Sequence, residues 1–249
     1  MKGKVAIVTG AGSGVGRAIT ILFAQNGANV VAVDVIPDRV TKVVEETKAM
    51  GTVTGKVMDL SLKSEPGRMV DEVLASHGRL DILCNNAGIM DAVRPVAETP
   101  DDVWEKVMDI NLNAPFRASR KAIPAMLKQG SGVIVNTASV AGMFGGIAGA
   151  AYTVSKHGLI GLTRNIAAMY GSKGIRCNAM VLGAVQTAIG MGGEPNPTGA
   201  AAFNKILGTI PARIADPVEI ARLALFLASD DGSYMNGSCV VIDNGWTVF

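Results

Sequence analysis

The stretch that decides the fold is Lys4-Val5-Ala6-Ile7-Val8-Thr9-Gly10-Ala11-Gly12-Ser13-Gly14-Val15-Gly16, near the start of the 249-residue chain. Its first six residues predict a short buried strand of a parallel sheet. The glycine-rich turn then leads into Arg17–Ala24, which has helical character. Strand, glycine turn and helix form the arrangement of a dinucleotide site, because glycines let the backbone approach a pyrophosphate at a helix N-terminus. A glycine-rich βα turn that binds nothing is the alternative.

An acidic residue ends the second predicted strand, Asn29–Asp34, 18 residues after Gly16. A carboxylate at about this spacing is expected to hydrogen-bond the adenosine ribose and to repel a 2′-phosphate. Val35 and Ile36 offer no cation to hold such a phosphate. The sequence therefore predicts NAD rather than NADP, unless the acid only caps the next helix.

Short apolar strands alternate with helices along the rest of the chain. Strands are predicted at 52–58, 81–84, 132–136, 174–181 and 239–243, and helices at 37–50, 61–77, 152–170 and 217–228. A long helix is predicted from Thr99 or Asp101 to about Lys128, with Pro115 and Pro124 bending or interrupting it. The pattern predicts one α/β domain over residues 1–249, a Rossmann-like doubly wound parallel sheet of about seven strands with helices on both faces.

Polar residues follow the carboxyl ends of several predicted strands, where ligands bind in such sheets. They are the glycine turn, Asp34, Asp59, the turn at Asn86, and Ser139. Their convergence predicts a functional site at this edge of the sheet.

Tyr152 and Lys156 are spaced to share one face of a predicted helix, one turn apart. An ammonium beside a phenol favours the phenolate, so the tyrosine is expected to exchange a proton well below its usual pKa of about 10. An ordinary helix with one lysine reaching to solvent is the alternative.

Composition limits the classes of function. The net charge is +2 and no run of Lys or Arg occurs, so a nucleic-acid partner is not expected. Cys84, Cys177 and Cys239 are scattered in apolar segments, which predicts buried free thiols in a reducing compartment and no metal site. The N-terminus carries no signal peptide, and no apolar stretch reaches about 18 residues. We therefore expect a soluble cytoplasmic protein without a membrane partner.

Together these residues make the chain resemble the classical short-chain dehydrogenase/reductase family over essentially its full length. The matches are Thr9–Gly16 for the pattern TGxxxGxG, Asn86-Ala87-Gly88 for NAG, Asn111, Ser139, and Tyr152 with Lys156. The serine precedes the tyrosine by 13 residues, as is usual in that family. The chain departs from the family at Leu182, where a proline is usual before the glycine.

The resemblance implies an NAD-dependent enzyme that interconverts a secondary alcohol and a ketone. Tyr152 would be the general acid/base, and Lys156 would lower its pKa and bind the nicotinamide ribose. Ser139 would hydrogen-bond the substrate oxygen, and Asn111 would hold a water of a proton relay. A strand-end cap at Ser139 and a backbone-bonded amide at Asn111 are the alternatives. The expected cofactor contacts are Gly10, Ser13, Gly14, Val15, Gly16, Asp34, Asp59, Leu60, Asn86, Ala87, Gly88, Tyr152, Lys156, Val185 and Thr187.

Residues 188–210 are rich in Gly, Ala and Pro and are predicted to form a mobile lid over the substrate. Met143, Phe144 and the turn at 90–94 would lie opposite, with Ser139, Tyr152 and Met143 against the substrate. The apolar residues of the lid are Ile189, Met191, Phe203, Ile206 and Leu207, and its charged residues are Glu194 and Lys205. Such a lid favours a largely apolar small-molecule substrate.

Several alternatives remain. Ile210–Arg213 and Pro217–Ala221 are similar to 3-oxoacyl-carrier-protein reductases, and a sugar dehydrogenase is a further possibility. An extended-family epimerase or dehydratase and a non-catalytic NAD-binding scaffold fit less well.

The resemblance also implies a homotetramer. The residues expected at its interfaces are Ala114, Phe116, Ala118, Ala122 and Met126, then Ala151, Leu159, Leu162, Ala167 and Ala168, and the apolar end Trp246–Phe249.

Overall fold

The computed structural model describes residues 1–209 and 213–248, except for the side chain of Leu207. Within these residues the strands are β1 (Val5–Thr9), β2 (Asn29–Asp34), β3 (Val53–Val57), β4 (Ile82–Asn85), β5 (Gly132–Ser139), β6 (Ile175–Leu182) and β7 (Cys239–Ile242). They form one sheet in the order β3-β2-β1-β4-β5-β6-β7, and every pairing is parallel. The order reverses between β1 and β4, which opens a crevice at the carboxyl ends of the strands.

Helices cover both faces of this sheet. In the described residues they are α1 (Gly14–Gln25), α2 (Pro37–Thr47), α3 (Glu65–His77), α4 (Asp101–Met108), α5 (Ala114–Gln129), α6 (Ala150–Tyr170), α7 (Pro197–Leu207) and α8 (Pro217–Ala228). One core packs α1 and α8 against the sheet, through residues such as Phe23 and Ile220. A second core packs α3, α5 and α6 through Met69, Met126 and Ile166, and a smaller third cluster includes Ile160 and Trp246. The predicted fold class is confirmed.

The long helix predicted from Thr99 or Asp101 to about Lys128 is present over residues 101–129 and contains one interruption. It is divided into α4 and α5 by a π-helical turn at Asp109–Asn113. The π turn lies directly before Pro115, whose missing N–H and ring disturb the preceding helical turn, so the predicted interruption at Pro115 is present. The predicted interruption at Pro124 is wrong, because α5 continues past it.

The predicted lid, residues 188–210, contains a helix that the sequence analysis did not anticipate. Pro197 occupies the first turn of α7, and the side chain of Asn196 caps the helix by accepting a 3.0 Å hydrogen bond from the N–H of Gly199. Ile210 and the side chain of Leu207 lie outside the described residues, as do Ile210–Ala212 of the segment similar to the acyl-carrier-protein reductases.

The helix faces expected to pair with other copies mostly pack inside the chain. Seven of the ten helix residues named for the interfaces are buried, and Leu162 is half-buried. Six of these eight pack in the core against the sheet, namely Ala114, Ala118, Ala122, Met126, Leu162 and Ala167. The remaining two of the ten, Phe116 and Ala168, are exposed. Trp246 is also buried, and Phe249 lies outside the described residues. Most of that predicted interface list is therefore wrong.

The three cysteines are free thiols. Cys84 and Cys177 are buried as predicted, and Cys239 is half-buried at the last strand. Residues 1–209 and 213–248 contain no cluster of three His, Cys, Asp or Glu side chains that could hold a metal ion. None of the helices in those ranges combines the length and the apolar character that crossing a bilayer requires.

Candidate active site

A pocket of about 610 Å³ opens at the carboxyl ends of the strands. The predicted cofactor and catalytic residues that line it are Gly10, Ser13, Gly14, Val15, Asp34, Asp59, Leu60, Asn86, Ala87, Gly88, Ser139, Tyr152, Lys156, Val185 and Thr187. Gly16, Asn111 and Met143 are not part of the wall. The parallel topology thus brings together residues from almost the whole length of the chain.

The glycine turn and Asp34 form one end of this pocket. The carboxylate of Asp34 is buried and accepts hydrogen bonds from the N–H groups of Gly12 at 3.0 Å and Ile36 at 3.1 Å. It therefore bonds the glycine turn and the N–H of Ile36, the residue just before α2. It does not cap the helix itself, so the capping alternative is not met. A side chain at Gly16 would overlap the carbonyl oxygen of Gly10, which explains a glycine there. The first N–H groups of α1 face an open cradle, so the residues fit a dinucleotide phosphate.

Arg39 belongs to this end of the pocket and was missed by the sequence analysis. Its guanidinium lies 3.5 Å from the hydroxyl oxygen of Ser13, and it lines the pocket beside Asp34. Arg39 is the third residue of α2, and α2 begins shortly after β2 ends at Asp34. Helical geometry brings a residue at this position back toward the end of the strand. The position of Arg39 within the predicted helix was therefore the sequence feature that indicated its place in the pocket.

The Asn86 turn is fixed to β1 and β5 by two threonines that were also not predicted. The hydroxyl oxygen of Thr9 accepts from the N–H groups of Asn86 at 2.9 Å and Ala87 at 3.0 Å. The amide of Asn86 donates to the carbonyl of Thr9, and its oxygen accepts from Thr137. The turn is thereby held against the floor of the pocket.

Tyr152 and Lys156 project from one face of α6 into the pocket, and both are buried. The ammonium of Lys156 donates a 2.8 Å hydrogen bond to the carbonyl oxygen of Thr137, so the lysine does not reach solvent. Ser139, at the end of β5, lines the same wall of the pocket and lies close enough to the phenol of Tyr152 to lower its pKa. The Ser139 hydroxyl also accepts from the N–H of Ala141, so Ser139 is a strand-end cap as well.

Burial controls the proton equilibria of this pair. It raises the pKa of Tyr152 to about 12, while the side chain of Ser139 acts in the opposite direction. Burial lowers the pKa of Lys156 to about 8. The predicted lowering of the Tyr152 pKa is therefore wrong for this structure, because burial penalises the phenolate more than the neighbouring groups favour it.

Asn111 lies behind the pocket in the π-helical turn, a feature that is frequent at functional sites. Its side chain accepts from the N–H of Ile89 and donates to the carbonyl of Ile89 and to the hydroxyl of Ser155. This matches the backbone-bonded alternative. A Cβ at Gly88 would lie 3.3 Å from its oxygen and 3.5 Å from the Lys156 ammonium, so both groups face the same small space.

The segment after β6 closes the pocket near the glycine turn. Leu182 ends β6 within the ladder, paired with Ser139 on one side and Ile242 on the other. Its N–H group is thus accommodated by the sheet. Thr187 packs so closely on Gly14 that a Cβ there would lie 3.0 Å from its methyl carbon.

The substrate side of the pocket differs from the prediction at Met143. Residues 140–142 form a 3-10 turn that directs Met143 and Phe144 outward, and both are 40% exposed. Further along the same loop, Ile147 and Ala148 return to the wall. Other apolar residues of the wall are Met90, Ile110, Ile189, Met191, Phe203 and Trp246. Trp246 was not predicted there, because the packing of a C-terminal segment is not encoded by local pattern.

Known proteins share this architecture and sequence. A family model described as enoyl-(acyl carrier protein) reductase matches residues 10–247. A 3beta-hydroxysteroid dehydrogenase 2 from Eggerthella lenta is 40% identical over 253 residues, covering 100% of this chain and 96% of that protein. The chain belongs to the short-chain dehydrogenase/reductase family. It is therefore an oxidoreductase that binds a nicotinamide cofactor and acts on groups of the alcohol or ketone type.

Other members of the short-chain dehydrogenase/reductase family are similar over the same length. The 3-oxoacyl-[acyl-carrier-protein] reductase FabG of Thermotoga maritima is 36% identical, covering 100% of this chain and 99% of that protein. A solved structure assigned as an NAD(P)-dependent gluconate 5-dehydrogenase from Beutenbergia cavernae, with NADP at low occupancy, is 38% identical. It covers 100% of this chain and 98% of its own, with a TM-score of 0.89. Proteins named for a hydroxysteroid, for a 3-oxoacyl-[acyl-carrier-protein] and for gluconate thus share the scaffold.

Proposed function

We propose that the protein is an NAD(H)-dependent oxidoreductase that interconverts an apolar secondary alcohol and its ketone, with Tyr152 as the general acid/base. The observation that supports this most directly is the placement of Ser139, Tyr152 and Lys156 in one wall of the pocket that also holds the glycine turn and Asp34. A non-catalytic scaffold would not need a buried phenol beside a buried ammonium.

The proposed chemistry divides between cofactor and protein. When bound, the nicotinamide exchanges a hydride with the substrate carbon. Tyr152, protonated at neutral pH because of its raised pKa, donates its phenolic proton to the substrate oxygen during reduction and accepts it back during oxidation. Ser139 donates a hydrogen bond to the same oxygen and stabilises the charge that develops on it.

Lys156 and Asn111 complete the proposed proton path. With a pKa of about 8, the lysine is mostly cationic at neutral pH and favours the transient phenolate of Tyr152. The small space between Asn111, Gly88 and Lys156 is a suitable place for the relay water. We assign Asn111 the role of holding that water with its side-chain oxygen.

NAD is proposed over NADP on the basis of Asp34. Its buried carboxylate lies at the pocket end where an adenosine ribose would bind, and it would repel a 2′-phosphate. Arg39, on the same side, favours the phosphate, as does the NADP in the similar structure from Beutenbergia cavernae. Asp34 and Arg39 therefore act in opposite directions on the preference for NAD over NADP. We give Asp34 the larger effect, because two backbone N–H groups fix the position of its carboxylate.

The apolar wall supports the proposed substrate class. Residues 188–210 are proposed as a lid, with Ile189, Met191 and Phe203 facing the pocket and the charged Glu194 and Lys205 exposed. Such a wall offers few partners for several buried hydroxyl groups. The 40% identical relative named for a hydroxysteroid is in keeping with an apolar, cyclic alcohol.

A cofactor-absorbance assay tests the proposal. Cyclohexanol and a 3β-hydroxysteroid are oxidised with NAD, glucose and gluconate serve as polar alcohols, and acetoacetyl-CoA is reduced with NADH as a thioester. We expect the highest kcat/KM with an apolar cyclic alcohol. If glucose or gluconate gives the highest kcat/KM, the protein is a sugar dehydrogenase. If the thioester gives the highest value, it is a 3-oxoacyl-carrier-protein reductase.

We also propose a cytoplasmic homotetramer. Free buried thiols suit a reducing compartment, and Trp104, Phe116, Val154 and Met169 leave apolar surface exposed on α4, α5 and α6. Light scattering at micromolar concentration tests the assembly, and a purely monomeric protein would contradict it.

A further inference from the structure

Asp91 carries a buried carboxylate that the proposed chemistry does not use. Only 1% of the residue is exposed. In the described part of the chain its hydrogen-bond partners are backbone N–H groups: Gly149 at 3.1 Å, Tyr152 at 2.9 Å and Val93 at 3.2 Å. Burying a carboxylate lowers the stability of the fold unless several hydrogen-bond donors surround it. These three N–H groups therefore show which parts of the chain Asp91 holds in place.

Two of the donors belong to the first turn of α6, the helix that carries Tyr152. The N–H groups of a first turn have no acceptor within their own helix, and Gly149 at the N-cap has no side chain to supply one. Asp91 supplies it from a distant segment. A Cβ at Gly149 would lie 2.5 Å from both carboxylate oxygens, so the glycine is required for this contact.

The backbone next to Asp91 is strained and holds the lid. Ala92 and Val93 have φ values of 56° and 51°, a region that a β-branched valine rarely adopts. The N–H of Ala92 donates to the carbonyl of Met191 at 2.6 Å, and its carbonyl accepts from Asn196 at 2.9 Å. Strained residues persist where the surroundings fix them, and here those surroundings are the lid and the catalytic helix.

Two lid glycines show how closely this surface is packed. A Cβ at Gly199 would overlap the carbonyl oxygen of Val93, and one at Gly192 would overlap that of Met90. The turn at 90–94 is thus bonded to the lid on one side and to the start of α6 on the other.

We propose that Asp91 is a positioning residue for proton transfer at Tyr152, and that the turn at 90–94 transmits the position of the lid to the catalytic helix. This inference rests on the proposed role of Tyr152. The carboxylate fixes the backbone of Tyr152 and thereby the place of its phenol. A misplacement of about 1 Å in such a group can cost about 100-fold in rate.

The negative charge of Asp91 gives this role a distinct signature. The polar and charged groups around Tyr152 are the hydroxyl of Ser139, the ammonium of Lys156 on the same helix, and the carboxylate of Asp91, which accepts from the backbone N–H of Tyr152. The last of these contributes to the raised pKa of Tyr152. Asp91→Asn removes the charge and one of the two accepting oxygens, so the phenolate should form at lower pH.

The decisive experiment needs no substrate. The chain has three tyrosines, so Tyr170→Phe with Tyr234→Phe leaves Tyr152 as the only titrating phenol. In the NAD-bound protein, near-ultraviolet absorbance then follows its ionisation with and without Asp91→Asn. We expect the pH midpoint to fall when Asp91 is replaced. An unchanged or raised midpoint would overturn the proposal, whatever the substrate of the enzyme is.

A second variant tests the link to the lid and remains available if Asp91→Asn fails to fold. Gly199→Ala displaces the turn without touching a catalytic group, and Gly208→Ala, with open space among the described atoms, is its control. With cyclohexanone and NADH, we expect Gly199→Ala to lower kcat by about 10- to 100-fold with the KM for NADH unchanged.

The outcomes separate this inference from the proposed function. If Gly199→Ala keeps the kcat of Gly208→Ala, the coupling is overturned while the function stands. If wild-type protein reduces no substrate of the panel, the function fails, and the Tyr152 titration still decides the role of Asp91.

Discussion

The ammonium nitrogen of Lys156 lies over the ring of Tyr152, 5.4 Å from its centroid. The same nitrogen is held by the carbonyl oxygen of Thr137 in β5. Two titratable groups are therefore buried side by side, one fixed to the sheet and both carried by one face of α6. The site holds its proton-exchanging groups in a medium that disfavours the charged form of each.

Tyr152→Phe should lower kcat by about 10²- to 10⁴-fold while cofactor binding stays near the wild-type value. The ring keeps its packing under Lys156, and only the phenolic hydroxyl with its exchangeable proton is lost. Turnover is measured by cofactor absorbance and binding by the fluorescence of NADH. Near-normal turnover in this variant would mean that the proton path is wrongly assigned.

Lys156→Met should inactivate the enzyme and yet stabilise its fold at neutral pH. A pKa of about 8 in the folded chain, against 10.5 for an ordinary lysine, corresponds to a cost of about 3 kcal/mol at pH 7. The carbonyl of Thr137 loses its hydrogen-bond partner, which lowers the free energy of unfolding by about 1 kcal/mol. We therefore expect a net gain of about 2 kcal/mol in the free energy of unfolding at pH 7.

The pH dependence of this gain follows from proton binding. Between pH 8 and 10.5 the unfolded chain binds more protons at Lys156 than the folded chain does, so wild-type stability rises with pH there. The advantage of the methionine variant is full below about pH 8 and shrinks as the pH approaches 10.5.

Lys173, an exposed lysine 5.8 Å from the Tyr170 ring, is the matched control, and Lys173→Met should show neither effect. Urea unfolding at several pH values measures both, and a loss of stability in Lys156→Met at pH 7 would contradict the argument.

The sequence was sufficient for those parts of the site that lie at strand ends. Asp34, the Asn86 turn and Ser139 each follow an apolar strand, and parallel strands bring their carboxyl ends to one edge by construction. Tyr152 and Lys156 needed only helical spacing. These residues converge because regular geometry places them, and no knowledge of side-chain packing was required.

Other features depend on packing between distant segments, which local pattern does not encode. Met143 was placed in the pocket, but the 3-10 turn before it directs its side chain outward. Asp91 was not singled out by any sequence pattern, because its contact with the start of α6 joins segments about 60 residues apart. The raised pKa of Tyr152 likewise follows from burial, which the spacing to Lys156 does not reveal.

Cofactor preference should depend on Asp34 and Arg39 in opposite directions. A carboxylate close to a phosphate of charge about −2 costs several kcal/mol where water is partly excluded, so kcat/KM should favour NAD over NADP. Asp34→Ala should narrow that ratio, and Arg39→Ala should widen it by removing the nearby cation. Equal use of both cofactors by the wild-type enzyme would refute the assignment of Asp34.

Gly16→Ala and Gly67→Ala should have opposite effects, although both change a helical glycine to alanine. At Gly16 the added Cβ would overlap the carbonyl oxygen of Gly10 and lie 2.5 Å from the Asn86 side-chain nitrogen, so the glycine turn and the Asn86 turn must both shift. Overpacking of this kind typically costs about 1–3 kcal/mol, and here it also deforms the phosphate cradle. Gly67 lies in α3 with open space among the described atoms, where alanine should raise the free energy of unfolding by about 0.5–1 kcal/mol through its better helix propensity.

Thermal unfolding with and without NAD measures both effects. We expect Gly67→Ala to unfold at higher temperature with a normal shift on adding NAD, and Gly16→Ala to unfold earlier with little or no shift. A normal NAD-induced shift in Gly16→Ala would show that the glycine turn is not where the cofactor binds.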